Sequence, residues 1–225
     1  EFVFDASSLS TLVGVALRGS LTWTSASIAS QEHTLKLVTE AVRGLEETSS
    51  TPADVELITV ALGPGAFNAL RVAVSAAKGF AVGAGAALVG METLMAEALR
   101  CPPSAGRVRP VLRAARAGFA TAVFAWQDGR WLKVEEERFV DEATLAQLAD
   151  AETPLCGDDA ADVTEQLQRA RGSAVALVSP ASLSRLEALA AAGWARYRAG
   201  DVTPAATLQP LYVRPPHITL PRDRR

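Results

Sequence analysis

The most constraining part of the sequence is residues 57–83, where an apolar run passes through two glycines and a proline into a helical pattern. The run LITVAL at 57–62 predicts a buried central strand. Gly63-Pro64-Gly65 then allows a sharp turn, because glycine accepts unusual backbone angles and proline fixes one of them. A buried strand that turns directly into a long apolar helix indicates an α/β fold.

The turn does not match a known phosphate-binding loop. A Walker loop requires G-x-x-x-x-G-K-[ST], but Lys78 precedes Gly79 instead of following a glycine. A dinucleotide fingerprint requires a third glycine, and position 68 is Asn. The helix start still offers free N–H groups to an anion. Gly63 and Gly65 therefore stay candidate phosphate contacts, and a turn without a ligand is the alternative.

Asp5 and Ser7 lie at the carboxyl end of the first predicted strand, FVFDAS at 2–7. A carboxylate beside hydroxyl groups can hold a hydrated metal ion or orient water near a phosphate. The same Asp-x-Ser pattern is also ordinary turn chemistry. We name Asp5 and Ser7 as candidate phosphate or nucleotide contacts, which would suit an ATP-dependent phosphotransferase or ATPase.

The helix after the turn carries two neighbouring stripes of side chains, one polar and one made of alanines. Small side chains let a second helix approach closely, and flanking Arg and Lys can pair with acids across the gap. The alternative is a buried helix with one solvated edge. Together with the preceding helical pattern, these stripes predict a partner-binding surface. This predicted docking face consists of His33, Leu37, Glu40, Asn68, Arg71, Ala73, Ser75 and Lys78.

Metal and nucleophilic chemistry lack the residues that they need. The two histidines, His33 and His217, lack the i, i+4 spacing with which a helix presents two zinc ligands. No G-x-S-x-G elbow occurs in the sequence. Cys101 and Cys156 are far apart and in different contexts, which predicts two reduced, partly buried thiols. We predict no catalytic residue and no metal site.

The net charge of −3 argues against a broad phosphate-binding surface, so a role on nucleic acid would run through a partner. The opening EFVFDASS lacks the basic start and long apolar run of a signal peptide. The longest apolar stretch, around residues 80–89, is too short to span a bilayer. We expect a cytoplasmic protein that does not bind membranes.

The order of predicted elements repeats weakly along the chain, since each half begins with strands and ends in alternating helices and strands. The best linker is the Pro- and Gly-containing stretch at 101–106. The sequence therefore predicts an N-terminal lobe at 1–102 and a C-terminal lobe at 103–202. A last segment, from about 203 to 225, is expected to return to the first lobe.

Several motifs, taken in order, resemble those of the bacterial TsaB family, also called YeaZ. They are DASSLSTLVGVAL, QEHTLKLVTEAV, the glycine loop with its helix, and PLYVRPP near the end. The usual G-P-G-S-F-T-G-[LV]-R of that family reads GPGAFNALR here, with Ala66, Asn68 and Ala69 in place of Ser, Thr and Gly. The D-A-R-x-G-E-V-Y stretch of that family, at 114–121 here, lacks its Asp and Glu. The chain is identified as a divergent member.

The resemblance implies a two-lobed actin-like or sugar-kinase-like (ASKHA) α/β fold, with mixed sheets flanked by helices. It implies a non-catalytic subunit in the synthesis of N6-threonylcarbamoyladenosine at position 37 of tRNA (t6A37). The implied partners are a TsaD-like catalytic paralogue in a heterodimer and a TsaE-like ATPase, with tRNA reached only through the complex. A homodimer is expected in isolation. The resemblance implies no cofactor of the chain's own, and it leaves room for ATP or ADP at the complex interface.

Overall fold

Two mixed β-sheets with helices on both faces form the framework of the protein. This structure is a computed structural model that describes residues 1–8, 10–28, 33–114, 118–171, 175–178 and 183–211. At residues 28, 33–35, 114, 170 and 171 it describes the backbone and not the side chains.

The first sheet has the strand order β3-β2-β1-β4-β5. Its strands are β1 Phe2–Asp5, β2 Ser10–Leu17, β3 Ser20–Ile28, β4 Leu57–Ala61 and β5 Ala87–Met91. The first three strands pair antiparallel, whereas β4 lies parallel to both β1 and β5. All five residues of β4 are buried, as a strand covered by helices on both faces requires, so the sequence prediction of a buried central strand is confirmed.

The second sheet has the strand order β8-β7-β6-β9. Its strands are β6 Arg107–Ala114, β7 Gly118–Gln127, β8 Arg130–Val140 and β9 Leu155–Cys156. Strands β6, β7 and β8 form an antiparallel meander, and β9 pairs parallel to β6.

Helices connect and cover these strands. The α-helices in the described residues are α1 His33–Glu47, α2 Phe67–Ala84, α3 Thr93–Ala98, α4 Glu142–Leu148, α5 Ala160–Arg171 and α6 Arg185–Arg198, and short 3-10 helices lie at Pro52–Asp54 and Pro103–Ala105. Helices α1 and α2 pack on one face of the first sheet, and α3 and α6 pack on its other face. Helices α4 and α5 cover one face of the second sheet.

Helix α3 lies between the two sheets. Its residue Ala96 packs in the core of the first sheet, against β5 and α6. Leu94 and Ala98 pack instead against Phe124 and Trp131 of the second sheet. Because one short helix contributes to both cores, its polar residues are carried into the junction between the two lobes.

The chain returns to the first lobe earlier than the sequence suggested. Helix α6 packs against β4 and β5, so it belongs with the first sheet and not with a C-terminal lobe that extends to residue 202. After it, Thr203 N donates to Leu88 O and Leu211 N donates to Leu62 O, each at 2.7 Å. The predicted boundary is therefore too late, because the apolar face of α6 matches the first sheet. Residues 212–225 of the predicted returning segment lie outside the described residues.

The packing of α6 predicts the effect of adding one methyl group to it. A Cβ at Gly193 would lie 2.8 Å from Thr59 Cγ2 on β4, closer than real carbon contacts. We expect Gly193→Ala to lower the free energy of unfolding by about 1–3 kcal/mol, because the interior cannot take up the extra atom without strain. Urea unfolding followed by circular dichroism measures this change.

The matched control is Gly79→Ala on α2, where an added Cβ meets nothing within 4 Å. This change should raise the free energy of unfolding by about 0.5–1 kcal/mol, because alanine favours a helix interior. Equal and small effects of the two substitutions would contradict the close packing of α6 on β4.

Candidate functional site

The glycine loop is shaped by close contacts between segments of backbone. A Cβ at Gly65 would lie 2.6 Å from Ser7 Cα, so only glycine lets the loop pass this close to the end of β1. Gly63 has a φ of +103°, and its carbonyl oxygen accepts a hydrogen bond of 2.8 Å from Thr93 N at the start of α3. The two glycines therefore join the ends of β1, β4 and α3, and this packing accounts for their presence without a ligand.

Asp5 is completely buried, and the protein itself supplies partners for both of its carboxylate oxygens. Oδ1 accepts hydrogen bonds from Ser7 N, at 2.9 Å, and from the Ser7 hydroxyl. Oδ2 accepts from Arg185 Nε at 2.6 Å. The predicted phosphate contact at Asp5 and Ser7 thus conflicts with this arrangement, because a phosphate or metal ion would reach the carboxylate only after Arg185 had left it.

Arg185 also connects Asp5 to a larger group of charges between the lobes. Its Nη1 donates to Glu97 Oε1 at 2.7 Å and to Asp158 Oδ2 at 3.0 Å. Arg100 pairs with the same two carboxylates. We name these five residues, Asp5, Glu97, Arg100, Asp158 and Arg185, the interlobe cluster. They come from β1, α3 and the turn that follows it, the turn after β9 and the first residue of α6, so the cluster ties both lobes together.

Four residues of the interlobe cluster are buried, and the fifth, Asp158, is exposed at its edge. Burial alone would lower the pKa of Arg185, but the charges of Asp5, Glu97 and Asp158 outweigh it and raise that pKa above its ordinary value. Burial raises the pKa of Glu97, against the opposing effect of the two guanidinium groups. Arg185 is only 2% exposed, so these carboxylates, and not water, stabilise its positive charge.

The sequence pattern singled out Asp5 but none of the other four residues of the interlobe cluster. Arg185 lies 180 positions from Asp5 in the chain, and no local pattern relates the two residues. The only available signal was a capping box, in which Ser184 precedes Arg185 and Glu187 returns a hydrogen bond to the Ser184 backbone. That signal locates the start of α6, but it does not reveal where the arginine points.

The structure separates the predicted docking face into surface and core residues. Asn68, Arg71 and Ser75 are exposed and lie on one side of α2, with Lys78 and Glu40 half-buried. Leu37 and Ala73 are each 0% exposed in the core beneath α1 and α2. This corrects the expectation that Leu37 and Ala73 contact a partner, because they face the first sheet. The side chain of His33 lies outside the described residues.

An open groove runs along the outer surface between α1 and α2. Its polar end, of about 560 Å³, is lined by Val38, Asn68, Arg71, Val72, Ser75 and Ala76. Its apolar end, of about 470 Å³, is lined by Val38, Pro52, Ala76, Gly79, Phe80, Gly83 and Ala84. The two ends share Val38 and Ala76, so they form one surface, which we name the α1–α2 groove.

The apolar end of the α1–α2 groove was not predicted. On α1, Val38 and Val42 are 39% and 46% exposed. The buried side of α1 is formed instead by Leu37, Ala41 and Leu45. Val38 lines both ends of the α1–α2 groove, so an exposed apolar side chain of α1 contributes to its surface.

Arg71 is held at the polar end of the α1–α2 groove by a contact within its own helix. Its Cζ lies 5.4 Å from the centroid of the Phe67 ring, which is within the range of a cation–π interaction. This contact keeps the guanidinium at the surface, where it can pair with an acid on another protein.

A family model decides what kind of protein this is. The model described as TsaD, tRNA N6-adenosine threonylcarbamoyltransferase, matches residues 25–192, which is more than half of the chain. The chain belongs to the TsaD family. Membership of the TsaD family connects it to the threonylcarbamoyladenosine modification of tRNA.

Solved structures share the fold of this TsaD-family chain. YeaZ from Pseudomonas aeruginosa has a TM-score of 0.72 at 21% identity, over 94% of this chain and 98% of that one. A structure described as an uncharacterized protein with similarity to peptidase YEAZ from Pseudomonas aeruginosa has the same TM-score and identity, over 95% and 98% of the chains. No curated protein matches the chain by sequence. At this level of identity, the likeness to solved structures shows the fold.

Two expectations from the sequence are thereby confirmed. The resemblance to TsaB (YeaZ) agrees with the shared fold and with membership of the TsaD family. The protein has the expected two-lobed, actin-like α/β fold with mixed sheets flanked by helices.

Across the described ranges, no helix is long and apolar enough to cross a membrane. Within the same residues, no group of three or more His, Cys, Asp or Glu side chains is arranged to hold a metal ion.

The interlobe cluster predicts a large cost for the loss of its central cation. We expect Arg185→Met to lower the free energy of unfolding by about 3–5 kcal/mol, because removing one partner leaves buried carboxylates without compensation. Chemical denaturation monitored by tryptophan fluorescence measures the loss.

The matched control is Arg169→Met on α5, which removes an arginine from an exposed pair with Glu165. Its effect should stay below about 1 kcal/mol, since exposed ion pairs contribute little. If Arg185→Met proved as mild as this control, the interlobe cluster would not hold the lobes together.

Proposed function

We propose that this protein is a non-catalytic subunit in the synthesis of N6-threonylcarbamoyladenosine at position 37 of tRNA. In this role it binds and supports a TsaD-like catalytic subunit through the α1–α2 groove. The observation that carries the proposal is the groove itself, which combines an apolar end with a polar end on the outer surface of the first lobe.

The composition of the α1–α2 groove supports docking of another helix. Gly79 and Gly83 stand one turn apart, and nothing lies within 4 Å of the positions that their Cβ atoms would take. The backbone of α2 is therefore open to close approach by a partner helix. Arg71 lines the polar end of the same groove and can pair with an acid of the partner there, and polar rims of this kind are common in protein interfaces.

The hydrogen bonds of the Asp5 carboxylate favour a non-catalytic role for this chain. In the alternative reading, an ATP-dependent enzyme, this carboxylate would face a metal-bound phosphate. Arg185 and Ser7 already donate hydrogen bonds to both of its oxygens. The whole chain also has only two histidines, which is a poor supply of ligands for a catalytic metal. The transferase chemistry then falls to the TsaD-like partner.

The remaining assignments follow from this role. A TsaE-like ATPase joins the pair, and tRNA is reached through the complex because the chain's net charge is −3. The chain needs no cofactor of its own, and ATP or ADP is bound at the complex interface. Without its partner, the protein forms a homodimer through the same groove, which hides apolar surface from water. The complex works in the cytoplasm.

Filling the α1–α2 groove tests the docking site. Gly79→Leu places a side chain in the groove, and its Cβ meets no other atom within 4 Å, so we expect the isolated variant to fold as well as the wild type. We expect its affinity for the TsaD-like subunit of the same organism to fall at least about tenfold, or about 1.4 kcal/mol. Arg71→Glu should weaken binding by reversing a charge at the rim. Co-purification and calorimetry measure both effects.

The control is Ala161→Leu, which makes a similar change at an exposed position of α5 in the second lobe and should leave binding intact. Ala73→Arg does not serve here, because Ala73 lies in the core and the change would test folding. Full binding by both groove variants would show that docking uses another surface. Failure of the wild-type protein to bind the TsaD-like subunit would overturn the proposed function.

A further inference from the structure

A second group of charges joins the two lobes, at the β8 edge of the second sheet. Lys133 on β8 donates hydrogen bonds to both carboxylate oxygens of Glu92, at 3.0 and 3.1 Å, and to Glu137 Oε1 at 2.6 Å. Its Nζ also lies 3.4 Å from Glu136 Oε2. We name these four residues, Glu92, Lys133, Glu136 and Glu137, the β8 clamp. Glu92 directly follows β5, so the β8 clamp ties the first sheet to the second lobe.

Helix α3 lies across the second sheet between the β8 clamp and the interlobe cluster. Strands β8 and β9 form the two edges of that sheet. The β8 clamp holds the start of α3, where Glu92 is the N-cap. The interlobe cluster holds its other end, where Arg100 pairs with Asp158 after β9. Between these two ends, Leu94 packs against apolar residues of β7 and β8. The helix is therefore fixed to one edge of the sheet by each group of charges.

The two passages of the chain between the lobes meet at the end of α3 that the interlobe cluster holds. The chain enters the second lobe after α3 and returns to the first sheet at α6. Arg100 lies in the outgoing passage, and its Nε donates to Leu183 O, just before α6, at 2.7 Å. At the other end of α3, Glu92 and Lys133 are 41 positions apart and are joined through their side chains. The covalent connections and the interlobe cluster thus share one side of the junction, and the β8 clamp lies on the other.

The two groups of charges also differ in burial. In the interlobe cluster, the side chains of Glu97 and Arg185 are 0% and 2% exposed. In the β8 clamp, those of Lys133 and Glu92 are 19% and 32% exposed. Dissolved salt screens exposed charges more strongly than buried ones. Rising ionic strength therefore weakens the β8 clamp while it leaves the interlobe cluster largely intact.

We propose that the β8 clamp is a salt-sensitive latch between the two lobes, with the interlobe cluster as the pivot. Release of Lys133 from Glu92 lets the β8 edge of the second sheet move away from the start of α3, as in a hinge motion. The closed state is favoured because opening brings water to Leu94, which is 0% exposed. The moving edge is next to the glycine loop, because Thr93 N donates to Gly63 O. Latch release thus widens the space between that loop and β8.

The distance between the lobes tests this latch. Spin labels are placed at Ala26→Cys on β3 and Ala143→Cys on α4, which are exposed positions, whereas Cys101 and Cys156 are buried and stay unlabelled. Double electron–electron resonance then gives the distance within one chain, with labelled protein diluted in unlabelled protein. We expect one narrow distribution in about 0.05 M NaCl and a second, longer distance that grows several-fold in about 1 M NaCl.

The variant Lys133→Met removes the latch and should show the longer distance already at low salt, without a further response to salt. The matched control is Arg138→Met, which removes an exposed pair with Glu135 from the same strand and should behave as the wild type. The exchange of Lys133→Glu with Glu92→Lys should restore the short distance, because it reverses the pair and keeps its attraction. Circular dichroism checks that each variant is folded.

Three results would each overturn the proposal. The first is a wild-type distribution that is the same at both salt concentrations, and this result decides the question even if a variant does not fold. The second is a Lys133→Met distribution that matches the wild type at low salt. The third is an equal effect of Arg138→Met, since the change would then be a general response to charge loss on β8.

Discussion

The buried guanidinium of Arg185 is the interaction on which the arrangement of the two lobes depends. It binds Asp5 of the first sheet, Glu97 of the helix between the sheets and Asp158 of the second lobe. A cation in this position needs all three carboxylates, because burial removes the water that would otherwise stabilise it. Each carboxylate is in turn placed by a different part of the fold, so the cluster forms only when β1, α3, β9 and α6 have come together.

As a result, the carboxylate at the end of β1 is occupied by internal ion pairs, whereas the outer side of α2 is accessible to a partner. The carboxylate at the end of β1, where an ATP-dependent enzyme would hold its phosphate, is used for cohesion. Helix α2 instead presents an outer side that is left uncovered, while Ala73 on its inner side fills the core. One helix thus serves the fold with its buried alanines and serves the proposed docking with Arg71, Gly79 and Gly83.

Local patterns predicted the elements well but placed some of their residues on the wrong side. The Gly-Pro-Gly turn and the buried strand before it follow from backbone freedom and an apolar run, and both are present. Leu37 was assigned to the docking face but is buried, whereas its neighbour Val38 is exposed, because both are apolar and periodicity alone does not tell which of them faces the sheet. The lobe boundary was misplaced for a similar reason, since the apolar face of α6 fits either sheet when only its sequence is known.

What the sequence by itself determined is the family, the α/β class and the shape of the glycine loop, because these rest on short motifs whose chemistry is local. Only the tertiary structure decided that Arg185 binds Asp5, that Cys101 and Cys156 are buried in the same core, and that the groove beside α2 stays open. These contacts join residues that are far apart in the chain. Their formation depends on how helices and sheets pack, and no spacing within a single element records that packing.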